Sequence, residues 1–424
     1  MKIAFVVSFF DFRNDVRKVI MEVSQKHEVC ILGKPEHAEA IRQHLPAQVT
    51  FRPILEAKAS VWNTFWERIY LLFKKLPKSR SNFFLMELFK VSNVADQVQQ
   101  QKGRKLLAWI KKLPKFIPYD FYLNRLRYRA GTRIDDIDQF ICFTAIADDH
   151  FHARLIRERK QIKVYVYSWD HPCKHTCFSK RVTYLCWSQE LKKDIVTLQN
   201  IPEHQIFVAG ASQFGYIHDY LGLLSARRPY SFPYIYFGCA IGIVDLVPEE
   251  LRLIKLLAEC LMQEQPEWKL VVRPYPVLTN WTFYETLKML PNVVVDDQFR
   301  TKDLSVAEDD ILKKYETIEH AEAFFHLGTT MGLEACFTET PSFILDFGYT
   351  TGQDLSLYNF IHQFQNDRHL IQLSPVNAIR SREELSQVLK ETGAPQYKVL
   401  NKVVRQQYSL KSFSKFAEDL VEIS

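Results

Sequence analysis

The sequence predicts an α/β protein of two parallel-sheet domains, and three observations carry that prediction. Short apolar runs alternate with helix-periodic segments at the start of the chain, and again from residue 139 to 209. A stretch at 220–233, with Pro229 and Pro233 and no periodicity, interrupts the pattern. A fresh strand–helix series then begins at 234. Strands separated by helices imply βαβ units and parallel sheets.

The elements follow in order. Residues 2–8 form the first strand; the apolar run from Met1 stops at Asp11, too short to span a membrane and without a small-residue cleavage site. Val16, Val19, Ile20 and Val23 lie at helical spacing, and 27–32 is the second strand. Strands are expected at 139–143, 163–167, 183–187 and 205–209, with a helix over 189–198. Past the linker, strands are expected at 234–238, 268–273, 293–295 and 342–345, with another ending near Phe325. Pro248, followed by Glu249 and Glu250, opens a helix with Leu251, Ile254, Ala258 and Leu261 on one face. Ser412 caps a last helix carrying Phe413, Phe416, Leu420 and Ile423. The predicted domains are 1–222, 233–405 and a terminal helix within 406–424.

Composition bounds the class. Apolar content of 47% and charged content of 25% are those of a globular protein and argue against disorder. The eight scattered cysteines fit reduced thiols, hence a cytoplasmic location, better than a disulfide framework. The net charge of +6 is unevenly spread: residues 58–133 hold 17 Lys/Arg against 4 Asp/Glu, so the rest of the chain carries −7. This segment, within a helical insertion at about 55–133, is also rich in Trp, Tyr and Phe. Such a mixture suits an anionic membrane surface or single-stranded nucleic acid. It equally suits a helical insertion whose aromatics face the core and whose lysines are solvated.

Four loops at strand ends carry the candidate chemistry. Near the C-terminal third, Gly328-Thr329-Thr330 reads as a turn from a buried strand into a helix. Such a turn presents backbone N–H groups and a positive dipole end, which bind phosphate; Glu334, one turn in, suits a ribose hydroxyl. The plain alternative is an ordinary βαβ turn. Gly238 and Gly242 allow close backbone approach to a ligand. Arg273 ends the run Leu270-Val-Val, and its planar fork suits a diphosphate or a surface ion pair. In the first domain, Asp170 and His171 follow a strand and are candidate acid/base groups. Asp11 and Asp15, after the first strand, are the others; the alternative is that Asp11 or Asn14 merely caps the first helix. The spacing His171-x-Cys173-x-His175-x-Cys177 matches no common zinc site, so no metal is expected. Hydrolase elbow, P-loop and His-Glu-x-x-His motifs are absent from the sequence.

Residues 234–346, with Arg273-Pro-x-Pro and Gly328-Thr-Thr-x-Gly-Leu-Glu-Ala, resemble the C-terminal domain of GT-B glycosyltransferases. Among them, surface-polysaccharide transferases, CDP-glycerol glycerophosphotransferases and UDP-N-acetylglucosamine 2-epimerases are nearest. Residues 139–216 resemble the second half of the family's N-terminal domain. The resemblance implies two Rossmann-like domains whose parallel sheets face a cleft, with the C-terminal helix packing back. It implies a nucleotide-diphosphate sugar as donor substrate and no separate cofactor. Gly238, Arg273, Thr329 and Thr330 would lie at the donor phosphates, with Gly242, His326 and Gly328 in the same loops and Glu334 at the ribose. Asp170, Asp11 or His171 would serve the acceptor. Ser168-Trp-Asp-His-Pro and Gly-Thr-Thr-Met-Gly-Leu-Glu stand where the epimerases carry other motifs, which argues against epimerisation. The expected function is transfer of a sugar to a saccharide or lipid-linked acceptor in surface polysaccharide synthesis, on the cytoplasmic membrane face, with no nucleic-acid partner. The alternatives are glycerophosphate transfer and a non-catalytic nucleotide or nucleic-acid binder.

Overall fold

A run such as Ile3-Ala-Phe-Val, apolar at every position, suits a strand covered on both faces. In the computed structural model it is β1 (Lys2–Val6), with Ile3 to Val6 fully buried. The structure describes every residue except 8–12, 56–59, 76–90, 92–96, 129–130, 144–147, 170, 175–177, 224–227, 276–277, 298–306, 353–355, 365–367 and 424. Around β1 lie β2 (Glu28–Gly33), β3 (Thr50–Pro53), β4 (Gln139–Phe143), β5 (Gln161–Tyr165), β6 (Thr183–Cys186) and β7 (Ile206–Val208). Among the described residues they form a seven-stranded sheet in the order β3-β2-β1-β4-β5-β6-β7, with every pair parallel. The fifth strand begins at Gln161 rather than 163, because Gln161 pairs with Gln139 at the start of β4.

The second series gives β8 (Tyr234–Gly238), β9 (Lys269–Arg273), β10 (Val293–Val295), β11 (Phe324–His326), β12 (Ser342–Leu345) and β13 (Ala378–Ile379). Their order is β10-β9-β8-β11-β12-β13, again all parallel. Each sheet therefore reverses its winding once, between β1 and β4 and between β8 and β11. Open α/β sheets take ligands at that reversal, beyond the carboxyl ends of the strands.

The described residues divide into two compact units, one from Met1–Phe84, Lys105–Gly215 and Leu410–Ser424, the other from Leu85–Arg104 and Tyr216–Ser409. The terminal helix Phe413–Glu422 thus belongs to the first unit. Ser412 caps it by accepting the Lys415 N–H at 3.1 Å, and its buried face (Phe413, Phe416, Leu420) packs against the helix Asn14–Ser24. Lys163, 1% exposed, reaches the far end of the helix and donates to the Val421 carbonyl at 2.6 Å.

In the basic insertion, Ser60 caps the helix Val61–Phe73. Tyr70 stacks on Tyr122 of the helix Tyr119–Arg125 with ring centroids 4.1 Å apart. Both tyrosines are buried, as core-facing aromatics require; Phe65, Trp109, Phe116 and Phe121 are exposed. Among the described residues no helix is long and apolar enough to cross a membrane.

Candidate functional site

At the winding reversal of the second sheet, the register places three of the predicted residues side by side. Arg273 ends β9, Gly238 ends β8 opposite it, and His326 ends β11 opposite Gly238. One row across three strands therefore collects a guanidinium, a glycine loop and the start of the Gly328 turn.

His326 ends its strand rather than opening the turn. The side chain is fully buried, and burial pushes its pKa down to about 3, so the ring is neutral. Its Nδ1 accepts the N–H groups of Gly328 at 2.9 Å and Thr329 at 3.3 Å. The proton is therefore on Nε2, which is buried without a partner. Gly328 takes a left-handed φ of +86°, which glycine adopts without strain. Thr329 then caps the short helix Thr330–Ala335 through the Met331 N–H at 3.4 Å. Two N–H groups expected to face phosphate are thus spent on the histidine. Thr330, half-buried, keeps its amide and hydroxyl unengaged among the described residues.

The glycines have local reasons. A Cβ on Gly238 would sit 2.6 Å from the Phe324 ring and 3.4 Å from the Met331 sulfur. One on Gly242 would meet the Tyr275 ring at 3.0 Å, and one on Gly332 would lie 2.3 Å from His326 Nε2. The loop between Gly238 and Gly242 is pinned from below. Glu250, 0% exposed in the helix Val247–Glu264, accepts the Ala240 N–H at 2.8 Å and the Tyr284 hydroxyl. Burial pushes the Glu250 carboxyl up to about 7 against those hydrogen bonds.

Arg273 is the hub of a mostly buried ion-pair network rather than a surface pair. Its Nη1 lies 3.1 Å from Asp296 and its Nη2 2.5 Å from Asp310. Asp296 also accepts the Tyr236 hydroxyl at 2.7 Å. A guanidinium has five N–H donors, so Arg273 keeps donors beyond these two. Glu334 is likewise held, by Lys314 at 2.8 Å and the Tyr315 hydroxyl at 3.1 Å. Asp310, Lys314 and Tyr315 all lie on the helix Glu308–Glu319, which ties Arg273 and Glu334 to one element. Sequence reasoning missed these three residues together with Asp296, Tyr284 and the buried role of Glu250. The available signal was the Asp310–Lys314 spacing, which places opposite charges on one helical face.

In the first unit, Asp11 and Asp170 lie outside the described residues, as do His175 and Cys177. The His171 ring accepts the Ser168 N–H through Nδ1 at 3.3 Å. The first helix, Asn14–Ser24, has Arg13 at its N-cap and no side-chain cap bond, so Asn14 does not cap it. Asp15, within that helix, is buried and accepts the hydroxyls of Tyr167 at 3.0 Å and Ser212 at 2.6 Å, joining segments that follow β5 and β7. Its pKa is raised by burial, against both hydrogen bonds. Past β4, a second polar cluster escaped the sequence reading. Tyr119 donates to Asp149 at 2.6 Å, and His150 bridges Asn63 at 3.2 Å and Glu67 at 3.0 Å. These contacts fasten the insertion to the helix Asp149–Arg157.

No family model matches the sequence, and no curated protein matches it. Solved structures do. The UDP-GlcNAc 2-epimerase from Neisseria meningitidis bound to UDP-GlcNAc superposes with a TM-score of 0.50 at 10% identity, over 100% of this chain and 99% of that one. Arabidopsis thaliana UGT89C1 complexed with UDP gives 0.50 at 11% identity, over 99% of each chain. The chain has the GT-B fold. At such identity the likeness is one of architecture. In GT-B terms, the row Arg273–Gly238–His326 lies at the winding reversal of the C-terminal Rossmann-like sheet.

Proposed function

We propose that this GT-B protein is a glycosyltransferase. The second unit binds a nucleotide-diphosphate sugar, and the first unit binds a saccharide or lipid-linked acceptor of surface polysaccharide synthesis on the cytoplasmic membrane face. The observation that carries the reading is the row of Arg273, Gly238 and His326 at the winding reversal, with Glu334 one turn beyond. The remaining guanidinium N–H groups and the Thr330 amide and hydroxyl would hold the diphosphate. Glu334, with lone pairs beyond those used by Lys314 and Tyr315, would accept a ribose hydroxyl. In the reaction an acceptor hydroxyl oxygen bonds to the anomeric carbon as the bond to the diphosphate breaks. The proton passes to Asp170, Asp11 or His171, and the nucleoside diphosphate leaves with the electron pair. Charge building on it is met by Arg273, which performs a metal's electrostatic task.

The nucleotide-bound neighbours support the donor class. A second reading, nucleotide binding without turnover, draws on the prior engagement of Arg273 and Glu334 in ion pairs. Calorimetric titration with UDP, CDP and GDP tests both. One nucleotide should bind, and Thr330→Val and Glu334→Gln should weaken it about tenfold, the scale of one lost hydrogen bond to a charged group. Failure of all three to bind, or binding unchanged in both variants, refutes the site. Hydrolysis of a donor from a nucleotide-sugar panel separates transferase from binder.

A further inference from the structure

We propose that the aromatic face of the insertion is a docking surface for an anionic phospholipid membrane. The inference rests on the membrane location proposed above, which it assigns to a surface, and is independent of the transferase chemistry.

The surface belongs wholly to the first unit. On the helix Val61–Phe73, Val61 is 91% exposed, Phe65 53% and Trp62 38%; Phe121, from the helix Tyr119–Arg125, is 40% exposed. The rings form one connected cluster around Trp66. Its centroid lies 6.0 Å from Trp62, 5.7 Å from Phe65 and 5.9 Å from Phe121, all in edge-on arrangements. Two arginines lie over it. Arg125 sits 4.7 Å from the Phe121 ring and 5.6 Å from Trp66, and Arg127 sits 4.8 Å from Trp62. A contiguous exposed aromatic patch of this kind marks an interaction site. Bulky rings settle at the level of lipid headgroups, while arginine stems lie along apolar surface and keep their charge at the phosphates.

Charge decides the occupant. Within the first unit, residues 58–84 and 105–133 hold 14 Lys/Arg against 2 Asp/Glu, a charge of +12. An anionic surface attracts this part of the insertion. A second copy would bring +12 against +12. A single-stranded nucleic acid stacks its bases on open ring faces; here Arg125 covers one face each of Trp66 and Phe121, and Arg127 one face of Trp62. Of the nearby acids, Asp120 is engaged by Ser179 at 2.6 Å, and Glu67 is bound to His150.

The test is co-sedimentation of the full chain with vesicles of phosphatidylcholine alone and of equal parts phosphatidylcholine and phosphatidylglycerol. The expected result is binding to the anionic vesicles only, lost at high salt. The exposed double variant Phe65→Ser/Phe121→Ser, with unchanged circular dichroism, should weaken it at least about tenfold, since ring insertion adds to the electrostatic term. Absence of binding, equal binding to neutral vesicles, or full binding by the double variant overturns the proposal. So does dimerisation or oligonucleotide binding that the double variant abolishes while vesicle binding persists. Nucleotide titration of the same variant reads the donor site separately, so the two proposals fail independently.

Discussion

Replacing Glu250 by glutamine should flatten part of the pH dependence of this protein's stability. Glu250 stands in the first turn of the helix Val247–Glu264, where the helix dipole favours a carboxylate by up to about 1 kcal/mol. It nevertheless titrates at about 7 instead of 4.5, because complete burial outweighs the dipole and the hydrogen bonds from Tyr284, Ala240 and Ile241. Among the described residues, the groups facing it are the Cys239 thiol and the Tyr284 hydroxyl, both neutral, and no cation offsets the buried charge. The folded-state pKa is raised, so the folded chain binds more protons than the unfolded one between the two values. Stability from this group is present in full below 4.5 and is lost as pH rises through about 7. The displacement corresponds to roughly 3 kcal/mol in total, of which about 2.5 kcal/mol falls between about pH 5 and pH 8. Glutamine keeps the shape and an oxygen for the Ala240 N–H but has no charge to bury. Urea unfolding of wild type and Glu250→Gln across that range should show the variant gaining on wild type by about 2–3 kcal/mol. Parallel pH slopes would refute the account.

Three further outcomes are expected. Gly332→Ala would place a methyl 2.3 Å from the buried Nε2 of His326, displacing the ring that holds the Gly328 turn; overpacking of this kind costs about 1–3 kcal/mol, and an unchanged melting temperature would count against it. Arg273→Met leaves Asp296 and Asp310 without their shared cation, and one-sided removal from a buried network costs about 3–5 kcal/mol. Adding Asp296→Asn and Asp310→Asn should restore most of that loss by denaturant melts, because no charge is then stranded. Lys163, whose pKa burial pushes down to about 8 from 10.5, leaves the unfolded chain holding more protons between those values. Its contribution to stability therefore rises as pH climbs through about 8, and Lys163→Met should lack that rise in thermal scans.

Much of the fold was legible because burial writes itself into local pattern. The apolar runs Phe140–Phe143, Tyr234–Phe237 and Phe343–Leu345 mark β4, β8 and β12, and the caps and breakers at Ser412 and Pro248 mark helices. The short edge strands β3 and β13 were not: β3 carries Thr50, Arg52 and Pro53 in place of an apolar run, and β13 is only two residues long. Gly238, Arg273 and the Gly328 turn were legible as punctuation at strand ends. Their partners were not, because Asp296, Asp310, Lys314 and Tyr315 lie far along the chain and look like ordinary surface residues. The basic insertion was legible in composition alone; which aromatics it buries, Tyr70 and Tyr122, and which it exposes, Phe65 and Phe121, was not.

By itself, then, the sequence determined two parallel α/β sheets and the loops where ligand chemistry would sit. Strand and turn signals act within a few residues, and hydrophobic periodicity reports the core side of each element. Only the tertiary structure decided the state of the side chains in those loops. A neutral, buried His326 holds the turn from inside, Arg273 and Glu334 are bonded to one distant helix, and Glu250 fixes the loop from below. The reason is that desolvation and charge pairing depend on what surrounds a group in space, and neighbours in space are set by the packing of whole elements.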